Sequence, residues 1–149
     1  GGGGGGGLLR LDVQRSTGIE CIRLLPPKAL SGLVELVVRG CDIDDDELSL
    51  LRGALPRLLL LDMSSCPLLT SRALGCLPAS LRTLRARDLD LSSPVPPLPR
   101  LLEADLGGSS VSFAPETAAA LHSVVRGSLQ LLRLAGCAAV RGGALAGAL

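Results

Sequence analysis

Tryptophan and tyrosine are missing from this chain, and Phe113 is its sole phenylalanine. Interfaces anchored on Trp or Tyr are thereby excluded, and arginine is the one remaining residue type of the usual hot-spot set. Charge of one sign is also missing. The formal net charge of +1 excludes strong non-specific attraction to nucleic acid or anionic lipid. No apolar run approaches the roughly 18–20 residues that span a bilayer. The longest candidates, residues 58–61 and 118–125, are interrupted by charge or by His122 within a few positions. The start carries no basic, apolar, small-residue succession of the secretory kind. Histidine occurs once, at His122, without an orienting acid or a glycine-rich oxyanion turn at recognisable spacing, and no phosphate-binding G-x-x-x-x-G-K-[ST] is present. Catalysis, cofactors and small-molecule substrates are therefore not expected.

What the chain has in excess is leucine, 35 of 149 residues, and arginine over lysine by 14 to 1. The leucines are ordered. Leu33, Leu36, Val38 and Cys41 repeat as Leu58, Leu61, Met63 and Cys66, and again as Leu129, Leu132, Leu134 and Cys137. Weaker copies are Leu8/Leu11/Val13/Ser16, Leu81/Leu84/Ala86/Leu89 and Leu101/Ala104/Leu106/Ser109. Copies begin at residues 8, 33, 58, 81, 101 and 129, in steps of 25, 25, 23, 20 and 28. A period in the twenties with this internal spacing is the signature of a leucine-rich repeat solenoid. The expected class is α/β: a curved parallel sheet on the concave side, helices and extended turns on the convex side. Residues 1–7, all glycine, read as a disordered linker, and residues 8–149 as the repeat domain. With no initiator Met and Leu149 inside a repeat, the chain reads as a piece of a longer protein.

Alternation around each central leucine predicts a strand of three to five residues. The return segments differ. Ile43, Leu48, Leu51 and Leu55 fall at helical spacing before Pro56, and Leu69, Leu74 and Leu77 before Pro78. Pro115 followed by Ala118, Leu121, Val124 and Val125 predicts a helix stopped at Gly127. Residues 19–25 predict a short helix stopped by Pro26 and Pro27, and Pro94, Pro96, Pro97 and Pro99 forbid one in the fourth repeat.

Counting each repeat's first leucine as position one, positions three and five project from the concave face. Position three reads Arg10, Glu35, Leu60, Thr83, Glu103 and Leu131; position five reads Asp12, Val37, Asp62, Arg85, Asp105 and Arg133. Arg15, Arg39 and Arg87 lie just beyond the strands. These residues form the candidate partner-binding face, with Arg82, Arg85 and Arg87 as a cluster able to grip an acidic peptide or phosphate, opposed by Asp62, Asp88 and Asp105. The run from Asp42 to Glu47 resembles a calcium loop, but Glu47 and Gly53 stand in the reverse of the required order, so carboxylates capping a helix are expected instead. Cys41, Cys66 and Cys137 share one place in their repeats, which predicts a buried structural column rather than disulfides or a zinc site. Cys21 and Cys76 read as apolar filler. An odd count of five without a C-x-x-C pair fits reducing cytoplasm or nucleus.

The third copy (Leu58, Leu61, Met63, Cys66, Leu69, Thr70, Ala73, Leu74) resembles the cysteine-containing leucine-rich repeats of F-box ubiquitin-ligase receptors, with Ser71 where that pattern has Asp. The sixth follows as Leu129, Leu132, Leu134, Cys137, Val140, Ala144 and Leu145, with Arg141 and Gly142 in place of Thr-Asp; the second uses Ile43, Asp45 and Leu48. Ser16, Leu89 and Ser109 depart at the cysteine position. The resemblance implies a non-catalytic module that holds a protein substrate for ubiquitin transfer, with an F-box as a separate upstream unit. Cytoskeletal and ciliary scaffolds carry similar repeats, so a structural scaffold is the alternative it implies.

Overall fold

The computed structural model describes residues 7–15, 25–91, 100–111 and 128–137. The prolines at 94–99, the helix expected from Pro115, His122, Cys21, most of the helix expected over 19–25 and the sixth copy beyond Cys137 lie outside the described residues.

Six three-residue strands form one parallel sheet in the order β1-β2-β3-β4-β6-β8. They are β1 (Arg10–Asp12), β2 (Glu35–Val37), β3 (Leu60–Asp62), β4 (Thr83–Arg85), β6 (Glu103–Asp105) and β8 (Leu131–Arg133). Two further strands, β5 (Asp90–Leu91) and β7 (Ser110–Val111), pair in parallel as a second small sheet. Each strand of the main sheet occupies positions three to five of its copy, and the pairing has no slip: Leu11, Leu36, Leu61, Leu84, Ala104 and Leu132 are successive partners. Steps of 20 and 28 residues therefore give the same register. A one-residue slip would turn every apolar side chain to the other face.

Positions one, four and six supply the buried layer. Leu33, Leu36, Leu58, Leu61, Met63 and Ala86 are wholly buried, and Leu81, Leu84, Leu101, Ala104 and Leu106 nearly so. Each leucine buried this way contributes about 1.5–3 kcal/mol relative to exposure. Burial falls off at both ends, where Leu11, Val13, Leu129, Leu132 and Leu134 pack only partly against the core.

Position eight turns the chain out of each strand in the left-handed region: Arg15, Gly40, Ser65, Asp88, Gly108 and Gly136 all have φ between 56° and 72°. The N–H groups of the first five extend the ladder past the strands. Gly40 N–H donates to the Ser64 carbonyl at 2.9 Å, and Ser65 N–H to that of Arg87 at 2.8 Å.

The connections are mixed. Helix α1 (Pro27–Ser31) begins at the proline that the sequence reading took as a stop. Proline has no N–H to lose in a first turn and its fixed φ suits that position, so Pro27 initiates. Helix α2 (Asp45–Arg52) starts in a capping box: Glu47 N–H donates to the Asp44 carboxylate at 2.8 Å, and Asp44 N–H to Glu47 at 3.0 Å. It ends at Gly53, ahead of Pro56. After Cys66 the expected helical turn is a 3-10 helix, Ser71–Cys76, confined between Pro67 and Pro78 and containing Gly75. A run of six residues containing a glycine is short enough for the tighter i→i+3 pattern to suffice. The whole is an α/β fold with an all-parallel sheet, compatible with a solenoid. Among the described residues no helix is long and apolar enough to cross a membrane.

Candidate partner-binding face

Register alone brings the position-three and position-five residues together in two rows on the face opposite the buried layer. Arg10, Glu35, Leu60, Thr83, Glu103 and Leu131 are consecutive partners, as are Asp12, Val37, Asp62, Arg85, Asp105 and Arg133. Neighbours in a row stand about 4.8 Å apart.

Two of the twelve are not available. Val37 is 6% exposed and Asp62 7%, so neither presents a side chain to a partner. Val37 is a short side chain on a strand flanked on both sides. The Asp62 carboxylate folds down to accept the Ser64 N–H at 3.0 Å. Asp12 does the same with Gln14 N–H at 3.1 Å, and Asp105 with Gly107 N–H at 3.0 Å. Three position-five aspartates thus cap their own turns. The sequence reading missed this role, although Asp two residues ahead of a turn is the signal of an Asx turn.

At the first strands, Arg10 lies 3.5 Å from Asp12 and 3.6 Å from Glu35, so its charge is answered locally. The arginine cluster expected at the fourth copy is dispersed. Arg82 turns aside, its Nη1 donating to the carbonyls of Ser80 (3.4 Å) and Arg100 (3.3 Å). Arg87 reaches across to Asp105, with Nη1 at 3.1 and 3.0 Å from the two carboxylate oxygens. It lies over Gly107, where a Cβ would come 2.7 Å from Nη1, so any side chain there would displace the Arg87 guanidinium. Asp88 accepts from the Ser65 hydroxyl at 3.1 Å instead of meeting the arginines. Burial pushes the Asp105 carboxyl up, but the Gly107 N–H and the Arg87 guanidinium outweigh it, and the group sits below the usual carboxylate range. The same pairing raises Arg87 further. The side chains of Arg85, Glu103 and Arg133 make no hydrogen bond or ion pair with a described residue. Together with Thr83, Asp105 and Leu131 they line a depression of about 170 Å³ over β4, β6 and β8. Arg39 is exposed beyond β2 and Leu60 half-buried on β3.

The cysteines support this face from below. The Cys41 thiol donates to the Val13 carbonyl at 3.0 Å, Cys66 to Val38 at 3.1 Å and Cys137 to Leu106 at 3.1 Å, in each case one strand back. Ser109 fills the same place with a hydroxyl donating to Ala86 at 2.9 Å, while accepting the Leu89 N–H at 3.1 Å. Burial pushes the Cys66 thiol up to about 11, and Cys137 upward as well. Cys76, partly packed against the core, donates to Arg72 at 3.4 Å.

Asp45, nearly buried, ties successive connections together. It accepts the Thr70 N–H at 2.9 Å and the Thr70 hydroxyl at 2.6 Å. Asp44, Asp45 and Glu47 of the acidic run thus cap the helix and cross-link the connections. Among the described residues no three metal-ligating side chains converge.

The chain matches no protein-family model and no curated protein sequence.

Proposed function

We propose that this chain is a leucine-rich repeat solenoid of the cysteine-containing kind, that it binds a partner protein on the open face of its main sheet, and that the partner is a substrate presented for ubiquitin transfer. One observation carries the binding role. The unburied members of two in-register rows, among them Arg85, Glu103 and Arg133, stand on a backbone held by a continuous hydrogen-bond ladder. Side chains fixed at strand spacing lose little freedom on docking, which favours association. The ubiquitin role rests on the resemblance of the copies ending in Cys66 and Cys137. Free thiols at Cys41, Cys66, Cys76 and Cys137 fit a reducing compartment, cytoplasm or nucleus.

The test is affinity capture with the intact protein, unaltered and carrying Leu60→Glu with Thr83→Glu. A partner retained by the first and lost by the second, with unchanged thermal midpoints, is the expected result. Co-enrichment of a cullin-adaptor complex is expected alongside it. A partner captured without the adaptor points instead to a scaffold in a cytoskeletal or ciliary assembly. Equal capture by the variant removes the open face as the binding surface.

A further inference from the structure

The sign and spacing of the groups over β4, β6 and β8 say more about the partner. Arg85 and Arg133 are both in-register partners of Asp105, one on each side. Their Cα atoms therefore stand about 10 Å apart, two strand spacings, and side chains of this length can converge above the strand between them. Asp105 makes no hydrogen bond or ion pair with either one; its oxygens accept from Arg87 and the Gly107 N–H. Asp62, the partner of Arg85 on its other side, is 7% exposed and turned onto the Ser64 N–H. Asp105 and Glu103 are the carboxylates that line the depression with Arg85 and Arg133. The depression between them, about 170 Å³, is smaller than the roughly 300–1,000 Å³ of small-molecule sites. At about 30 Å³ per water it holds some five or six waters, room for one short side chain.

We propose that Arg85 and Arg133 straddle the neutralised Asp105 to receive a single carboxylate side chain, Asp or Glu, from the partner protein. Paired guanidiniums hold a carboxylate by charge-assisted, directional bonds. A phosphate, near −2 at neutral pH, would meet Glu103 and Asp105 at short range with about twice the charge of a carboxylate. Leu131, 37% exposed at the rim, favours an apolar residue next to the acid. This assignment rests on the partner-binding reading and adds to it the chemistry of the bound group.

The experiment follows the arginine Nε–H signals of the full chain by NMR, during titration with blocked pentapeptides. The first is acetyl-Ala-Leu-Glu-Leu-Ala-amide, the others carrying Gln or phosphoserine in place of Glu. Saturable shifts of Arg85 and Arg133 with the Glu peptide are expected, at least tenfold weaker with Gln and no tighter with phosphoserine. Arg85→Gln with Arg133→Gln should abolish them, while Arg85→Lys with Arg133→Lys should leave a weakened response. No shift with the Glu peptide, an equal response to Gln, or tighter phosphoserine binding overturns the proposal. The captured partner separates this from the broader reading. Undiminished partner binding by the double Gln variant overturns the carboxylate assignment and leaves protein binding standing. Arginine shifts with the Glu peptide, in a protein that captures no partner, support the carboxylate site and remove the other reading.

Discussion

Ser109 is the internal control for the three stacked cysteines. A hydroxyl at that place donates to the preceding carbonyl at 2.9 Å, as the Cys66 thiol does at 3.1 Å. Cys66→Ser should therefore cost less than about 1 kcal/mol, and Cys66→Ala about 1–2 kcal/mol, since the latter leaves the buried Val38 carbonyl without its side-chain donor. Denaturant melts of the two variants measure the difference. The raised thiol also makes stability depend on pH. Unfolded cysteine ionises near 8.5, whereas native Cys66 holds its proton to about 11. The stabilisation is thus complete below about pH 8.5 and lost as pH rises toward 11, a fall that Cys66→Ser should remove. Asp105 has the opposite sign. Its native carboxyl ionises below the usual range, so its contribution is present above about pH 4 and lost as pH falls through the lower native value. Asp105→Asn should flatten that acid limb, by less than about 1 kcal/mol for a pair this exposed. At this scale the cysteine column was legible because three thiols share one position. The serine substitute and the turn-capping aspartates were not, because their roles depend on which backbone groups the fold brings near them.

The elements divide by how local their causes are. The run preceding α2 announces a helix start, and the capping box at Asp44 and Glu47 follows from residues three apart. Asp44→Ala should cost about 0.5–2 kcal/mol, read as a lowered thermal midpoint with the strand amides still protected from exchange. Proline was harder to read. At Pro56 and Pro78 it stands after a connection; at Pro27 it opens one. Both uses obey the same constraint on φ and the missing N–H, and only the chain beyond decides between them. The short turn Ser71–Cys76 shows a related limit. Its leucines have helical spacing, yet the segment closes as a 3-10 helix of six residues with Gly75 inside it, and apolar spacing alone does not separate the two.

Across the molecule, the apolar spacing anticipated strand positions, parallel pairing and the inner layer, because register is enforced wherever one face is buried. It did not anticipate that Val37 and Asp62 would be shielded, since burial on the open face depends on neighbouring strands and on turn capping. Cooperative stacking gives a positional prediction. Leu61→Ala on central β3 should cost about 2–5 kcal/mol, whereas Leu11→Ala on edge strand β1, where the side chain is only partly covered, should cost visibly less. Equal losses in chemical denaturation would contradict a layer whose burial tapers toward its ends. The unslipped pairing across steps of 20 and 28 residues has an engineering corollary. Repeat length does not alter strand register, so a short tag or reporter spliced between residues 111 and 128 should leave the partner-facing rows unmoved, and evolution can lengthen that segment without rewriting what the sheet recognises.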